Sequence, residues 1–127
     1  MIRVAIADDY PELRLALRLM LHLSKDITVV CERDNGQEAV DCVKQLQPNI
    51  LVMDIHMPVL NGFEATRQIV QLSVPTHVIL ISSYREHFFV RQAAEAGAKG
   101  FVLKDDVPRF LLRAIEAVQH GELFFKD

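Results

Sequence analysis

The sequence predicts a doubly wound α/β domain, in which helices cover both faces of a parallel sheet. Along the 127 residues, five short apolar segments alternate with five longer segments of helical periodicity, and this alternation is typical of the class. The apolar segments are continuous rather than interrupted by polar residues, as expected for strands buried on both faces. The connections are short and the chain length suits one domain.

Each segment has a local reason for its predicted structure. Strands are expected at residues 2–7, 27–31, 50–53, 77–81 and 100–103, and helices at residues 11–24, 36–47, 63–72, 85–96 and 107–120. Pro11 suits the first turn of a helix because its missing N–H would have no partner there. Pro48 ends the second helix, and Gly97 and Gly121 follow the fourth and fifth helices, where glycine commonly closes a helix.

Apolar residues recur at three- and four-residue spacing and predict which side of each helix faces the sheet. The first helix is expected to bury Leu13, Ala16, Leu17, Met20 and Leu21. The second is expected to bury Ala39, Val40, Val43 and Leu46, and the last to bury Val107, Leu111, Ala114, Ile115 and Val118. Periodicity alone leaves the strand order open, because right-handed crossovers permit several orders.

Composition and charge exclude several classes of protein. The formal net charge of −3 argues against a large nucleic-acid surface. No apolar stretch approaches the ~20 residues needed to cross a bilayer, and the apolar run at the N-terminus is too short for a secretion signal. We therefore expect a cytoplasmic protein with no membrane contact. Cys31 and Cys42 lack metal-ligand spacing, so reduced, buried thiols are expected.

Reactive side chains stand where the predicted strands end. Asp8 and Asp9 follow the first strand, Asp54 follows the third, and Lys104 follows the fifth. Ser82 and Ser83 follow the fourth in the same way. Because the carboxyl ends of parallel strands meet at one crevice, three acids, a hydroxyl and a lysine are expected to share one pocket.

That set of residues suits a metal-assisted phosphoryl transfer. Three adjacent carboxylates repel one another, and a hard cation with oxygen ligands, Mg²⁺ or Mn²⁺, relieves the repulsion. Asp9 and Asp54 are the expected direct ligands, with the backbone carbonyl of His56 as a further oxygen and Asp8 acting through water. Asp54 would be the nucleophile that forms an acyl phosphate, and Lys104 would pair with the transferred group.

The hydroxyl of Ser82 could donate a hydrogen bond to the phosphoryl group, and Ser83 is small enough to leave room for it. Taken singly, these residues have ordinary alternatives. Asp8 and Asp9 could cap the first helix and complement its dipole. Asp54 could be a loop residue, and Lys104 a solvated surface lysine.

The ordered set of motifs resembles response regulator receiver domains of two-component systems. It comprises Asp8-Asp9, Asp54 with Met57-Pro58 and Gly62, Ser82, and Gly100-Phe101-Val102-Leu103-Lys104, and the resemblance covers essentially the whole chain. It implies a flavodoxin-like (CheY-like) five-stranded sheet of order 2-1-3-4-5. It also implies that a sensor histidine kinase is the phosphoryl donor. Phe101 would change rotamer as Ser82 is recruited, forming a two-state switch.

Finer details resemble the NarL/FixJ-type subfamily, namely Asp8-Asp9-Tyr10-Pro11, Leu103-Lys104-Asp105 and Leu112-Arg113-Ala114-Ile115 before Gly121-Glu122. Members carry a LuxR-type helix-turn-helix domain, so DNA contact and transcription regulation would act through that output domain. Residues 1–127 are expected to hold the receiver without it, whether as part of a longer regulator or as a stand-alone receiver.

The chain departs from the commonest receiver pattern at three positions. Ser82 stands where threonine is more usual and Phe101 where tyrosine is frequent, so a methyl group and a hydroxyl are lost. Asp105 follows Lys104 where many receivers have proline in a cis bond. The geometry of that loop is therefore open at the level of sequence.

His56 and Tyr84 lie two residues beyond Asp54 and Ser82, respectively. Both are expected to shield the acyl phosphate from water and so to set the rate of dephosphorylation. Acid–base chemistry by His56 is the alternative.

Leu15, Leu19 and Leu23 form a second apolar row on the first helix, because a spacing of four residues stacks them on one face. With Arg109 and Arg113 as a polar rim, this face resembles the phosphorylation-linked dimer face of the subfamily. Packing against an output domain is the alternative.

Two other functions remain open from sequence. An aspartate-nucleophile phosphatase usually needs a second acid two residues after the nucleophile, where this chain has His56. A pseudo-receiver would signal without phosphate, yet the complete reactive set is retained. We expect a phosphoacceptor that catalyses only its own phosphorylation and slow dephosphorylation, and not a turnover enzyme.

Overall fold

The structure is a computed structural model that describes residues 1–84 and 87–126. The strands are β1 (Ile2–Ala7), β2 (Ile27–Arg33), β3 (Ile50–Asp54), β4 (His77–Ser82), β5 (Gly100–Leu103) and β6 (Phe124–Lys126). The helices are α1 (Pro11–His22), α2 (Gly36–Leu46), α3 (Gly62–Gln71), α4 (His87–Ala96) and α5 (Val107–Gln119), with a 3-10 turn at Lys104–Asp106. The predicted start of the fourth helix, at residues 85 and 86, lies outside the described residues.

All strand pairs are parallel, and the order across the sheet is β2-β1-β3-β4-β5-β6. Apolar side chains of α1 and α5 pack on one face of the sheet, and those of α2, α3 and α4 pack on the other. The α/β class, the cover of helices on both faces and the order of the first five strands are therefore confirmed.

The prediction of five strands is wrong, because β6 adds a sixth beside β5. Gly121 ends α5 with a φ of 88°, a backbone conformation that glycine adopts without steric cost. The chain then returns along the sheet edge, where Phe125 lies opposite Phe101 and Phe124 packs against Phe110 of α5. A three-residue strand of this kind is held mainly by packing, which a periodicity argument does not detect.

The predicted core sides of the helices are largely confirmed. All five apolar residues expected from α5 are buried, while Leu17 and Leu21 are the fully buried members of the α1 set. Leu13 and Met20 are partly buried. Ala16 is exposed, contrary to prediction, because it faces an open apolar groove between α1 and the start of α5 that Val107 and Pro108 also line.

Cys31 of β2 and Cys42 of α2 are both buried, as expected. They are not separate, because their sulfur atoms are in contact, with Cα atoms 7.0 Å apart. That separation lies just beyond the usual span of a disulfide, so the reduced state stays a prediction. The reason is that both side chains enter the layer between the sheet and α2. The sequence pattern predicted the strand or helix of each cysteine but did not predict that their sulfur atoms would be in contact.

Two further findings concern the described chain as a whole. None of its helices combines the length and the apolar character needed to cross a membrane. None of its peptide bonds is cis, so the Lys104–Asp105 bond is trans. The 3-10 turn at Lys104–Asp106 directly follows β5 and leads into α5.

Candidate functional site

The predicted reactive residues lie at the carboxyl edge of the sheet. Asp8 directly follows β1, Asp54 is the last residue of β3, and Lys104 follows β5. Asp54 pairs with Ile81 across the ladder, so Ser82 lies one position further along the neighbouring strand. The parallel topology thus gathers at one edge side chains that are far apart in sequence.

Asp8, Asp9 and Asp54 form an acidic cluster, in which one carboxylate oxygen of each residue lies within 4.8 Å of the other two. Asp8 and Asp54 are buried, with exposed fractions of 0% and 3%, and Asp9 is exposed. Grouped carboxylates with a wet opening suit a hard divalent cation. The cluster could therefore hold a metal ion.

Lys104 supplies the positive charge of the site. Its Nζ lies 3.2 Å from Oδ2 of Asp54 and 3.7 Å from Oδ2 of Asp8, and its side chain is 21% exposed. One ammonium faces three carboxylates, so the pocket retains an excess of negative charge. That excess favours a cation as an additional partner.

Burial raises the pKa of both interior carboxyl groups. For Asp8, desolvation is the main cause, opposed by the hydrogen bond from the Tyr10 backbone and increased by the charge of Asp54. For Asp54, desolvation again raises the pKa most, while the charge of Lys104 and its hydrogen bond oppose the rise. Both groups are therefore costly to ionise until a further positive charge arrives.

One oxygen of Asp8 indicates where that charge fits. Oδ1 accepts a hydrogen bond from the Tyr10 backbone N–H at 2.8 Å. Oδ2 is buried and has no hydrogen-bond partner, which is rare for a buried polar atom. A buried carboxylate oxygen without a hydrogen bond, beside two other carboxylates, meets the donor requirements of Mg²⁺ or Mn²⁺, so the residues present fit such an ion.

The loop after β3 folds tightly over the site. Gly62 begins α3, and a Cβ atom at this position would lie only 2.6 Å from the backbone oxygen of Asp54. Its N–H donates to the carbonyl of Ile55 at 2.7 Å. Asn61 caps α3 by accepting from the Glu64 backbone N–H. Glycine at residue 62 therefore allows the helix to start directly beside Asp54.

Ser82 is fully buried at the end of β4. Its Oγ accepts a hydrogen bond from the Tyr84 backbone N–H at 3.0 Å, an arrangement that leaves the hydroxyl proton to donate elsewhere. Ser83 is exposed and, with Tyr10, Lys104 and Asp105, lines an open cavity of about 630 Å³ that borders the site at Lys104.

Phe101 is fully buried on β5 and belongs to the core on the α2–α3–α4 side of the sheet. The structure therefore contains the inward arrangement of the predicted Ser82–Phe101 pair. The second, outward rotamer expected from the resemblance stays a prediction.

An aromatic cluster covers the space between the β3–α3 loop and α4. The rings of His56 and Tyr84 meet edge to face with centroids 5.0 Å apart, so the two predicted shielding residues are in contact. Phe89 stacks on Tyr84 at 5.4 Å and on Phe63 at 6.2 Å. Sequence analysis missed Phe89 and Phe63, although the Phe88-Phe89 pair on a helix beside the site was a usable signal.

The leucine row on α1 is exposed as predicted, with exposed fractions of 44% for Leu15, 57% for Leu19 and 85% for Leu23. On α5, the guanidinium carbons of Arg109 and Arg113 lie 5.6 and 5.5 Å from the ring centroid of Phe110. These two arginines of α5 therefore lie beside an aromatic ring of their own helix.

Arg14 is a site residue that sequence analysis missed. Its Nη1 donates to the backbone carbonyl oxygen of Asp8 at 2.7 Å, and its Nε lies 3.8 Å from Oε1 of Glu32 on β2. A contact with a backbone carbonyl leaves no pattern among side chains, so spacing alone could not identify it.

Comparison with known proteins agrees with this geometry. The family model described as "Response regulator receiver domain" matches residues 4–116. The chain is 34% identical over 125 residues to the transcriptional regulatory protein YxjL of Bacillus subtilis, covering 98% of this chain and 57% of that protein. It is 30% identical over 124 residues to the nitrate/nitrite response regulator NarL of Escherichia coli K12, with coverage of 98% and 57%. The chain thus spans just over half the length of these relatives.

Solved structures give the same result. The signal receiver domain of the response regulator NarL from Mycobacterium tuberculosis superposes with a TM-score of 0.92 at 33% identity, covering 95% of this chain and 98% of that one. A LuxR-family two-component response regulator from Aurantimonas sp. gives a TM-score of 0.93 at 32% identity, with coverage of 98% and 89%. The chain belongs to the response regulator receiver domain family, and its relatives are regulators of the NarL/LuxR type.

Proposed function

We propose that Asp54 accepts a phosphoryl group from a sensor histidine kinase. The observation that carries this proposal is the buried Asp54 carboxylate, with Lys104 at 3.2 Å and two further carboxylates beside it. The β3–α3 loop returns to the Asp54 backbone at Gly62. An acyl phosphate at this position would have a cationic partner already in place.

The transfer is a displacement at phosphorus. An Asp54 carboxylate oxygen forms the new P–O bond while the bond from phosphorus to the donor nitrogen breaks, and the departing imidazole keeps the electron pair. When bound, Mg²⁺ or Mn²⁺ would neutralise charge on the transferring group. Asp9, Asp54 and the backbone carbonyl of His56 are the proposed direct ligands, with Asp8 acting through water.

Other residues of the chain orient the product. Lys104 pairs with a phosphoryl oxygen as a point charge. The Ser82 hydroxyl leaves its contact with the Tyr84 backbone N–H and donates a hydrogen bond to a second phosphoryl oxygen. Ser83 leaves space at the mouth. Phe101 then changes its packing as Ser82 moves, which is the proposed switch. The chain acts as a phosphoacceptor and promotes only its own phosphorylation and slow dephosphorylation.

The test is intact mass spectrometry after incubation with acetyl phosphate and Mg²⁺. One added phosphoryl group is expected on the wild type, and none is expected with EDTA or in Asp54→Asn. Asp26→Asn, which alters an exposed aspartate, is the matched control and should label normally. Full labelling of Asp54→Asn would refute the assignment, and turnover of a simple phosphomonoester would favour a phosphatase.

The exposed leucines support a further proposal, that phosphorylation favours a two-fold dimer. Leu15 and Leu19 lie exposed on α1. A row of exposed leucines on one helix is typical of a contact surface. An isologous pairing through this face would bring two output domains together.

YxjL is named as a transcriptional regulatory protein and NarL as a response regulator, and this chain covers 57% of each. We accordingly propose that the receiver acts in the cytoplasm and controls transcription, with DNA contacted through a helix-turn-helix output domain beyond residues 1–127.

A further inference from the structure

Arg14 links three segments around the acidic cluster. It lies in the first turns of α1, and its side chain turns back toward the β1–α1 loop. Nη1 donates to the Asp8 carbonyl oxygen at 2.7 Å, and Nε faces Glu32 of β2 at 3.8 Å. The side chains of Arg14 and Glu32 are only 24% and 26% exposed, so this contact is partly shielded from water.

The carbonyl that Arg14 holds belongs to the peptide bond between Asp8 and Asp9. That bond is planar, so holding its oxygen also holds the plane that contains the Asp9 N–H and Cα, from which the Asp9 side chain extends. The Asp8 N–H donates to the Arg33 carbonyl at 3.0 Å, and Oδ1 of Asp8 accepts from Tyr10. The Arg14 contact is thus a third hydrogen bond that holds Asp8 and the peptide bond that follows it.

We propose that Arg14, oriented by Glu32, is a positioning residue that sets the Asp8–Asp9 peptide for divalent-cation binding. This inference rests on the proposed function, because it assumes that the acidic cluster binds Mg²⁺. Partners behind a metal ligand typically change metal affinity by about 10- to 100-fold when they are removed. Arg14 donates to the backbone of the ligand loop, so it acts on both carboxylates at once.

Arg18 provides a matched control on the same helix. Its Nη1 lies 3.1 Å from Oε2 of Glu32, which is a closer ion pair than that of Arg14. It is about one turn further from the β1–α1 loop. Arg18→Ala therefore removes a guanidinium and a Glu32 ion pair without removing the donor to the Asp8 carbonyl.

The experiment is a Mg²⁺ titration of the full chain, followed by the backbone amide shift of Asp9 in NMR spectra. For Arg14→Ala, an apparent Kd about 10- to 100-fold above that of the wild type is expected. The Kd of Arg18→Ala should stay close to that of the wild type. The initial rate of phosphorylation by acetyl phosphate should fall in Arg14→Ala at low Mg²⁺ and recover at saturating Mg²⁺. A merely structural role would not produce this split.

Two further variants keep the test decisive whatever the stability of Arg14→Ala. Arg14→Lys keeps the charge but loses the planar fork of donors, so an intermediate Kd is expected. Glu32→Gln leaves Arg14 in place and removes its orienting charge, so a smaller increase in Kd is expected. Wild-type affinity in Arg14→Ala, or in both of these variants, would overturn the inference, as would an equal loss in Arg18→Ala. A wild type that binds no Mg²⁺ would overturn the proposed function as well.

Discussion

Asp8→Asn tests whether the acidic cluster costs stability when no cation is bound. The side chain is fully buried, and its Oδ2 has no hydrogen-bond partner. An asparagine keeps the oxygen that accepts from Tyr10 and removes the negative charge beside Asp54. Lys104 retains its closer partner, Asp54, at 3.2 Å. We therefore expect the variant to have a higher free energy of unfolding than the wild type in EDTA at pH 7.

The expected gain follows from the charge that folding buries. A buried polar group without a hydrogen bond costs about 1–3 kcal/mol, and more when it is charged. The ammonium of Lys104, 3.7 Å from Oδ2 of Asp8, offsets part of the extra cost of the charge. For a chain of this length, roughly 4 °C in Tm corresponds to 1 kcal/mol, so Asp8→Asn should melt about 4–12 °C above the wild type.

The gain should depend on pH with a defined sign. Burial raises the pKa of Asp8 above 3.8 in the folded protein, so the native state binds its proton more tightly than the unfolded state. The contribution of Asp8 to the free energy of unfolding is fully present below pH 3.8, the ordinary pKa of the group. It is lost as the pH rises through the raised pKa of the folded state. The advantage of Asp8→Asn should therefore be large at pH 7 and shrink toward pH 4.

The assay is thermal unfolding by circular dichroism at several pH values between 4 and 7, with and without Mg²⁺. Mg²⁺ should raise the Tm of the wild type by mass action and raise that of Asp8→Asn less. Asp26→Asn, at an exposed position, should show neither effect. Equal Tm values for wild type and Asp8→Asn at pH 7, or a gap that does not change with pH, would refute the reasoning.

Two further predictions concern the mouth of the site and the α1 face. The His56–Tyr84 edge contact is worth about 0.5–1.5 kcal/mol, so His56→Asn with Tyr84→Glu should speed loss of the phosphoryl group by up to roughly tenfold. The decay is followed by mass spectrometry, and the control variant Tyr84→Phe should lose the group at the wild-type rate. An unchanged decay in the double variant would contradict the shielding role. Leu15→Glu with Leu19→Glu should weaken a beryllofluoride-induced dimer by at least roughly a hundredfold, because each buried leucine contributes about 1.5–3 kcal/mol. Sedimentation measures the dimer dissociation constant, and equal dimerisation of the wild type and the variant would exclude this face.

The convergence of the site residues was predictable because it depends on topology. Once the strands are parallel, Asp8, Asp54, Ser82 and Lys104 must meet at one edge, since each lies at the carboxyl end of a strand. The order of strands came from the family resemblance and not from periodicity. The buried pair of acids needed no structure to find, because each ends a continuous apolar run.

What the sequence did not reveal depends on contacts with no periodic pattern. The strand β6 has three residues, and its position is fixed by Phe124 against Phe110 and by Phe125 opposite Phe101. The Cys31–Cys42 contact depends on how closely α2 approaches β2. Arg14 contacts a backbone oxygen that every residue type possesses. In each case the information lies in distances between elements.

Lys104 joins the charge of the site to the edge of the sheet. Its ammonium lies between the carboxylates of Asp54 and Asp8, while its backbone directly follows β5. The same strand carries the buried Phe101 and pairs with β6. A phosphoryl group on Asp54 would add negative charge next to this ammonium. The added attraction would act on the residue that begins the turn into α5, so we expect phosphorylation to affect β5, β6 and α5 first.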